Sequence, residues 1–192
     1  MTGTSLEPGH MSMTFTAIAA GGIVGRRAKV DGEKVFLVED DAGAPVVKIG
    51  GGPSGAQGTA LYAAAGTFVV PTVARPPYVR WQLLDASGRE VAAGEKVSST
   101  VHTLLLPAGQ LTWTRHTLRP QYRIDEMFGA SRTALHSFAQ GVARRVFTGD
   151  VHPGLANRTD APLVMLLATW LTWQAINKKA ADERLRNASS GN

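Results

Sequence analysis

The stretch Asp160–Ile176, DAPLVMLLATWLTWQAI, decides the fold. At 3.6 residues per turn one of its faces carries Leu163, Leu166, Trp170 and Trp173. Another carries Val164, Leu167, Ala168, Leu171 and Ala175, which leaves Thr169, Thr172 and Gln174 as the only polar positions after Pro162. Asp160 reads as an N-cap, and Pro162 falls in the first turn, where its missing N–H does no harm. A helix with no polar face must be buried on all sides or lie in lipid. Length separates the two: a membrane span needs about 20 apolar residues, and this run gives way to Asn177, Lys178 and Lys179. The helix, expected over about residues 160–186, is therefore a core element, and no transmembrane span is expected. Its polar continuation, Ala180–Arg186, enters solvent, and residues 187–192 read as a flexible tail.

What surrounds such a helix is set by the rest of the chain, a succession of short β-branched and aromatic runs broken by turn residues. Lys34–Glu39 alternates, Asp40-Asp41-Ala42-Gly43 turns, and Pro45–Ile49 runs back. Tyr78–Leu84 meets Asp85-Ala86-Ser87-Gly88 and returns through Glu90, Val91 and Ala92. Thr100–Leu106 meets Pro107-Ala108-Gly109, and Leu111–Arg115 goes back. About a dozen strands follow from this pattern. The economical fold is mainly β with one helix: an antiparallel β-barrel of about twelve strands closed around the apolar C-terminal helix. Residues 1–12 read as a flexible leader and residues 13–186 as one domain.

Two hairpins read as copies: Phe36–Val47 and Trp81–Ala92 share an apolar start, Asp-x-x-Gly, and a valine three residues later. A weaker third copy starts at Tyr122-Arg123-Ile124-Asp125 and turns near Gly129. A common hairpin formula can also recur by chance.

Composition narrows the chemistry. Hydrophobic residues make up 44% and charged residues 18%, as in a globular protein. The absence of cysteine excludes disulfides, thiolate nucleophiles and cysteine zinc sites. The N-terminus lacks the basic segment and apolar stretch of a secretory signal, so a cytoplasmic protein, peripheral at a membrane at most, is expected. The net charge of +5, carried by fourteen arginines and six lysines, favours anionic partners. Candidate anion- or headgroup-binding clusters are Arg26, Arg27 and Lys29; Arg115, Arg119 and Arg123; and Arg144 and Arg145. Charge runs more often serve solubility.

No catalytic, cofactor or metal constellation emerges, so a non-enzymatic protein is expected. Gly50–Gly55 satisfies G-x-G-x-x-G, but Pro53 and Gly58 deny it the helix that a dinucleotide site requires, and it reads as a loop. Asp150, His152 and Asp160 read as surface polar residues ahead of metal ligands. His102 and His116 are expected to face one another across a hairpin. Trp81 and Trp113, beside Arg80 and Arg115, could stack on single-stranded nucleic acid, although inward packing is the commoner role.

The Asp-x-x-Gly hairpins, the Leu106–Trp113 hairpin (LPAGQLTW) and the Asp160-Ala161-Pro162-Leu163-Val164 entry into an apolar helix together resemble the tubby C-terminal-like superfamily. That superfamily includes the LURP-one-related proteins and the phospholipid scramblases. The resemblance covers about residues 13 to 178 and rests on pattern. It implies a roughly twelve-stranded barrel around a hydrophobic C-terminal helix, acting as a binding or membrane-associated module. Tubby binds phosphoinositide headgroups through basic residues; scramblases carry cysteine-rich segments that this chain lacks. Acidic phospholipid headgroups or a protein are thus the expected partners. Nucleic-acid binding is the alternative, and an enzyme of unrecognised type stands behind both.

Overall fold

The structure is a computed structural model, and it describes residues 18–30, 32–50, 59–63, 66–70, 80–117, 121–126, 134–139 and 145–189. The chain is mainly β and ends in one long helix. The strands are β1 (Gly21–Val30), β2 (Glu33–Asp40), β3 (Pro45–Gly50), β4 (Thr59–Ala63), β5 (Gly66–Val70), β6 (Arg80–Asp85), β7 (Glu90–Lys96), β8 (Val101–Leu106), β9 (Gly109–Arg115), β10 (Gln121–Glu126), β11 (Ala134–Ala139) and β12 (Arg145–Val151). A single helical turn, α1 (Pro153–Ala156), leads into α2 (Ala161–Ser189). Each strand is antiparallel to its neighbours in sequence, and β1 pairs with β12 from Gly21 opposite Val151 to Arg26 opposite Arg145. The ladder thereby returns on itself as a closed barrel, which leaves no free edge among the described strands. The expected leader, the Gly51–Gly55 loop and the turn near Gly129 lie outside the described residues.

Because consecutive strands alternate in direction, the connections fall at two ends. The end formed by the β2–β3, β6–β7 and β8–β9 turns, where α2 begins, is called the upper end here. The β1–β2 and β7–β8 connections define the lower end. Alternation along each strand then assigns side chains to the inner or outer face. Phe36 and Val38, Trp81 and Leu83, Leu104, Leu111 and Trp113, and Tyr122 and Ile124 all belong to the buried core.

The repeated hairpins match bond for bond. In the β2–β3 turn the Gly43 N–H donates to Asp40 O at 2.9 Å, the Asp40 N–H to Ala44 O at 3.0 Å, and the amides of Ala42 and Ala44 donate to Asp40 Oδ1. In the β6–β7 turn Gly88 donates to Asp85 O at 2.9 Å, Asp85 to Arg89 O at 2.9 Å, and Ser87 and Arg89 donate to Asp85 Oδ1. Gly43 and Gly88 hold φ of 79° and 81°, a region that costs other residues strain. Each hairpin also carries a register shift just before its turn, between Val38 and Glu39 and between Leu83 and Leu84. The third copy has its shift between Ile124 and Asp125. Two residues before each shift is a buried aromatic: Phe36, Trp81, Tyr122. These residues stand on β2, β6 and β10, four strands apart, so the barrel is approximately threefold.

That arrangement surrounds α2. Val164, Met165, Leu166, Leu167 and Ala168 have no exposed surface, and Leu163 and Leu171 are buried, which satisfies the all-round apolar sequence. Burial of each large side chain contributes roughly 1.5–3 kcal/mol. Trp173 packs on Phe36, Trp170 sits edge-on to Trp81 at 5.1 Å, and the Trp113 indole N–H donates to Thr172 Oγ1 at 3.2 Å. The backbone of α2 runs nearest β3 and β4.

Three expectations are corrected. The Asp160 carboxylate is occupied elsewhere: it accepts from the Ala108 N–H at 2.9 Å and from Arg158, tying the helix entry to the β8–β9 turn. His102 stands opposite Trp113, not His116, because β9 ends at Arg115. The helix continues through Asn187, Ala188 and Ser189, since no residue there breaks it.

Candidate functional site

An α-helix of 29 residues is about 44 Å long, whereas a seven-residue strand spans about 23 Å. α2 must therefore outrun the barrel. Its burial declines along the lower half: Thr172 is enclosed, Trp173 to Ile176 are half-buried, and Asp182 and Arg186 are exposed. Residues 177–189 extend past the lower end by about 20 Å.

The strand register collects cations around that exit. Arg27 lies opposite inner-facing Phe36, and Lys29 lies opposite Lys34, which is two residues from Phe36 on the same face. Lys96 is two residues beyond Gly94, the partner of inner-facing Trp81. Arg115 is two residues beyond Trp113 and opposite buried Tyr122. The charges act on their neighbours accordingly: Lys96 adds to the burial that lowers His102, and Arg115 partly offsets the burial that raises the Tyr122 hydroxyl. Arg27, Lys29, Lys34, Lys96 and Arg115 thus form a collar of inner-facing positions at the lower mouth. Among the described residues, no inner-facing position at that end is acidic. The upper end carries more carboxylates, with Glu39, Asp40, Asp41, Asp85, Glu90, Asp150 and Asp160 against Arg89 and Arg158 and against Arg26 and Arg80, which pair with Glu39 and Glu90.

The sequence clusters are therefore split. Arg26 faces outward and forms a two-bond ion pair with Glu39 at 2.7 and 2.8 Å, which raises its pKa. Arg123 is exposed on the outer face, out of phase with Tyr122. Arg145 stands opposite Arg26 in the register, while Arg119 and Arg144 lie outside the described residues. Arg27, Lys29 and Arg115 come to the collar, joined by Lys34 and Lys96. Those two were missed because isolated lysines form no cluster in sequence; counting by twos from Phe36 and from the Trp81 partner would have found them.

Beside the collar, His102 is half-buried and edge-on to Trp113 at 5.3 Å, and its Nδ1 has no hydrogen-bond partner among the described residues. Burial, then Lys96, lowers its pKa to about 4, so the ring is neutral at ordinary pH. Trp113 in turn stacks on Tyr122 at 5.7 Å. Trp81 and Trp113 are both buried, so neither offers a stacking face to a nucleic acid base. Among the described residues no three His, Asp or Glu side chains gather as metal ligands; the His152 Nδ1 accepts from the Gly154 N–H and caps α1. No helix of the described residues is long and apolar enough to cross a membrane.

Compared with family models, curated proteins and solved structures, the chain matches none.

Proposed function

We propose that this chain is a non-enzymatic binding module, a helix-in-barrel domain of the tubby-like type whose lower mouth docks a phosphate-bearing anionic partner. The observation that carries this reading is the segregation of charge: five cations at inner-facing positions around one mouth and carboxylates at the other end. A mouth lined mainly by cations concentrates anions near it. Arginine and lysine on strand ends supply phosphate ligands without any need for a deep pocket. Acidic phospholipid headgroups, which the resemblance implies, carry this chemistry, and so do nucleic acids.

The test is salt-dependent retention on phosphocellulose. Lys34→Glu at the collar and Arg89→Glu at the upper end change the net charge equally. The expected result is earlier elution of Lys34→Glu than of Arg89→Glu. Equal elution of the two would remove the collar as the binding surface.

A further inference from the structure

Resting on the reading of the collar as an anion site, we propose that one phosphate-type oxyanion of the partner is held between Lys96 and Arg115 over the ring of His102, and that His102 takes up a proton from solvent as the anion arrives. The register brings these three residues together. On consecutive strands β7, β8 and β9, Lys96 stands opposite His102, and His102 stands opposite Trp113, two residues from Arg115 on the same face. Opposed Cβ atoms of an antiparallel pair lie about 4.5–5.5 Å apart and diagonal neighbours about 7–8 Å, so a cation stands on each side of the imidazole. An anion that both cations hold therefore meets the ring between them. The backbone of α2 runs nearest β3 and β4, four strands or more from β8, and leaves this sector of the mouth to the side chains.

His102 is placed to respond. Its ring is held edge-on to Trp113, which Thr172 and Tyr122 fix in turn, and its Nδ1 is enclosed without a hydrogen-bond partner among the described residues. In the free chain burial, then Lys96, keeps the ring neutral down to about 4. A docked anion offsets the charge of Lys96, and its oxygen accepts from the protonated ring in place of the water that burial removed. No carboxylate of the described residues faces the ring to do this from within. On β7 the neighbouring Glu95 is exposed and stands opposite Thr103, out of phase with His102. β9 offers Arg115, and beyond Trp113 lies the Tyr122 hydroxyl, which burial keeps neutral. α2 offers Thr172 at this level, and its next ionisable residues are Lys178 and Lys179. A group protonated more readily in the complex than in the free chain makes binding tighten as pH falls.

The experiment follows the imidazole signals of the full chain by NMR from about pH 8 to about pH 5, with the His102 signal assigned by its loss in His102→Phe. The probe is sodium sulfate, whose charge is constant over this range, against sodium chloride at equal ionic strength. Sulfate is expected to raise the titration midpoint of His102 by about 1.5 pH units, and so to bind roughly fourfold tighter at about pH 5 than at about pH 8. His116→Asn, at an exposed histidine just past β9, is expected to keep that dependence, and His102→Phe to lose it. Sulfate that shifts the Lys96 and Arg115 signals but leaves the His102 midpoint in place overturns this inference. So does a pH dependence that survives in His102→Phe and vanishes in His116→Asn. Absence of any sulfate effect, while Lys34→Glu still elutes before Arg89→Glu, also overturns it and leaves the collar reading standing. Glycerol phosphate and phosphatidylcholine vesicles doped with phosphatidic acid, added in weak buffer, separate a free phosphate from a lipid-borne one. Proton uptake is expected with whichever binds, and binding without uptake overturns the coupling. Equal elution of Lys34→Glu and Arg89→Glu removes the underlying reading as well.

Discussion

The hairpins β2–β3 and β6–β7 share a turn, a register shift and an inward aromatic, yet they fill the same slot with different pairs. In the first, Phe36 stands opposite Ile49; in the second, Trp81 stands opposite Gly94. The larger ring is matched by the smaller partner. A Cβ on Gly94 would fall inside the Trp81 indole, which lies against the backbone of β7. The repeat therefore preserves the backbone hydrogen bonds of the turn, while the pair of residues that fills the slot is free to change. Interiors are packed tightly enough that such an exchange must be made on both strands together.

The largest expected effect follows from that exchange. Gly94→Ile imposes the first hairpin's partner on the second hairpin's tryptophan and should destabilise the barrel by about 3 kcal/mol or more. Trp81→Phe alone, which leaves a gap, should cost roughly 1–2 kcal/mol. If the hairpins are true copies, the double variant Trp81→Phe with Gly94→Ile recreates the Phe36–Ile49 pair and recovers at least about 1 kcal/mol relative to the sum. Urea denaturation of the four proteins closes the cycle. Strict additivity would show that the two slots differ in shape despite their shared backbone.

A smaller effect distinguishes the turns. Asp40→Ala removes the acceptor for two backbone N–H groups in a half-buried turn, at a cost of about 1 kcal/mol. Next to it, the Asp41 carboxylate accepts from the Gly22 N–H at 2.7 Å and pins the start of β1 to this end. Asp85→Ala removes the equivalent acceptor where water can replace it, since Ser87 and Arg89 also sit at the surface. The midpoint of unfolding should therefore fall more for Asp40→Ala than for Asp85→Ala. The reverse order would mean that the side-chain bonds from Ser87 and Arg89 outweigh the packing around Asp40.

These contrasts show what sequence could and could not convey. The buried helix was legible because fourteen residues with almost no polar face admit few environments, and the Asp-x-x-Gly turns were legible because their chemistry is local. Trp81 and Gly94 are thirteen residues apart, and nothing local marks the glycine as a space left for an indole. The basic clusters misled for a related reason. Arg26 and Arg27 are adjacent in sequence but on opposite faces of β1, one paired with Glu39 and the other at the collar. The collar itself is assembled from four strands, so it existed only once the register did. Asp160 was placed correctly at the helix entry, but its carboxylate serves Ala108, a residue 52 positions earlier.

The last effect is one of pH, and it arises where the two hairpins end differently. β3 ends at Gly50, whereas β7 runs on to Lys96, which stands opposite His102. His102 titrates at about 4 in the folded chain, because burial and then Lys96 disfavour the imidazolium, against 6.5 ordinarily. The unfolded chain therefore takes up a proton first as pH falls. Stability is unaffected by this group above about 6.5, declines between there and about 4, and loses nothing further once the folded chain is protonated too. Asp85 acts in a separate window: its carboxylate, held near 2 by Ser87 and Arg89, favours the folded chain above the usual 3.8 and loses that contribution as pH falls towards 2. His102→Phe keeps an aromatic ring edge-on to Trp113 and removes only the titration. Its unfolding midpoint should be flatter than wild type's between pH 6.5 and 4, with the steeper acid limb below that range unchanged. A variant as pH-dependent as wild type over that interval would show that His102 is accessible to protons in the folded barrel, and that the Trp113–Thr172 contact leaves its ring wet.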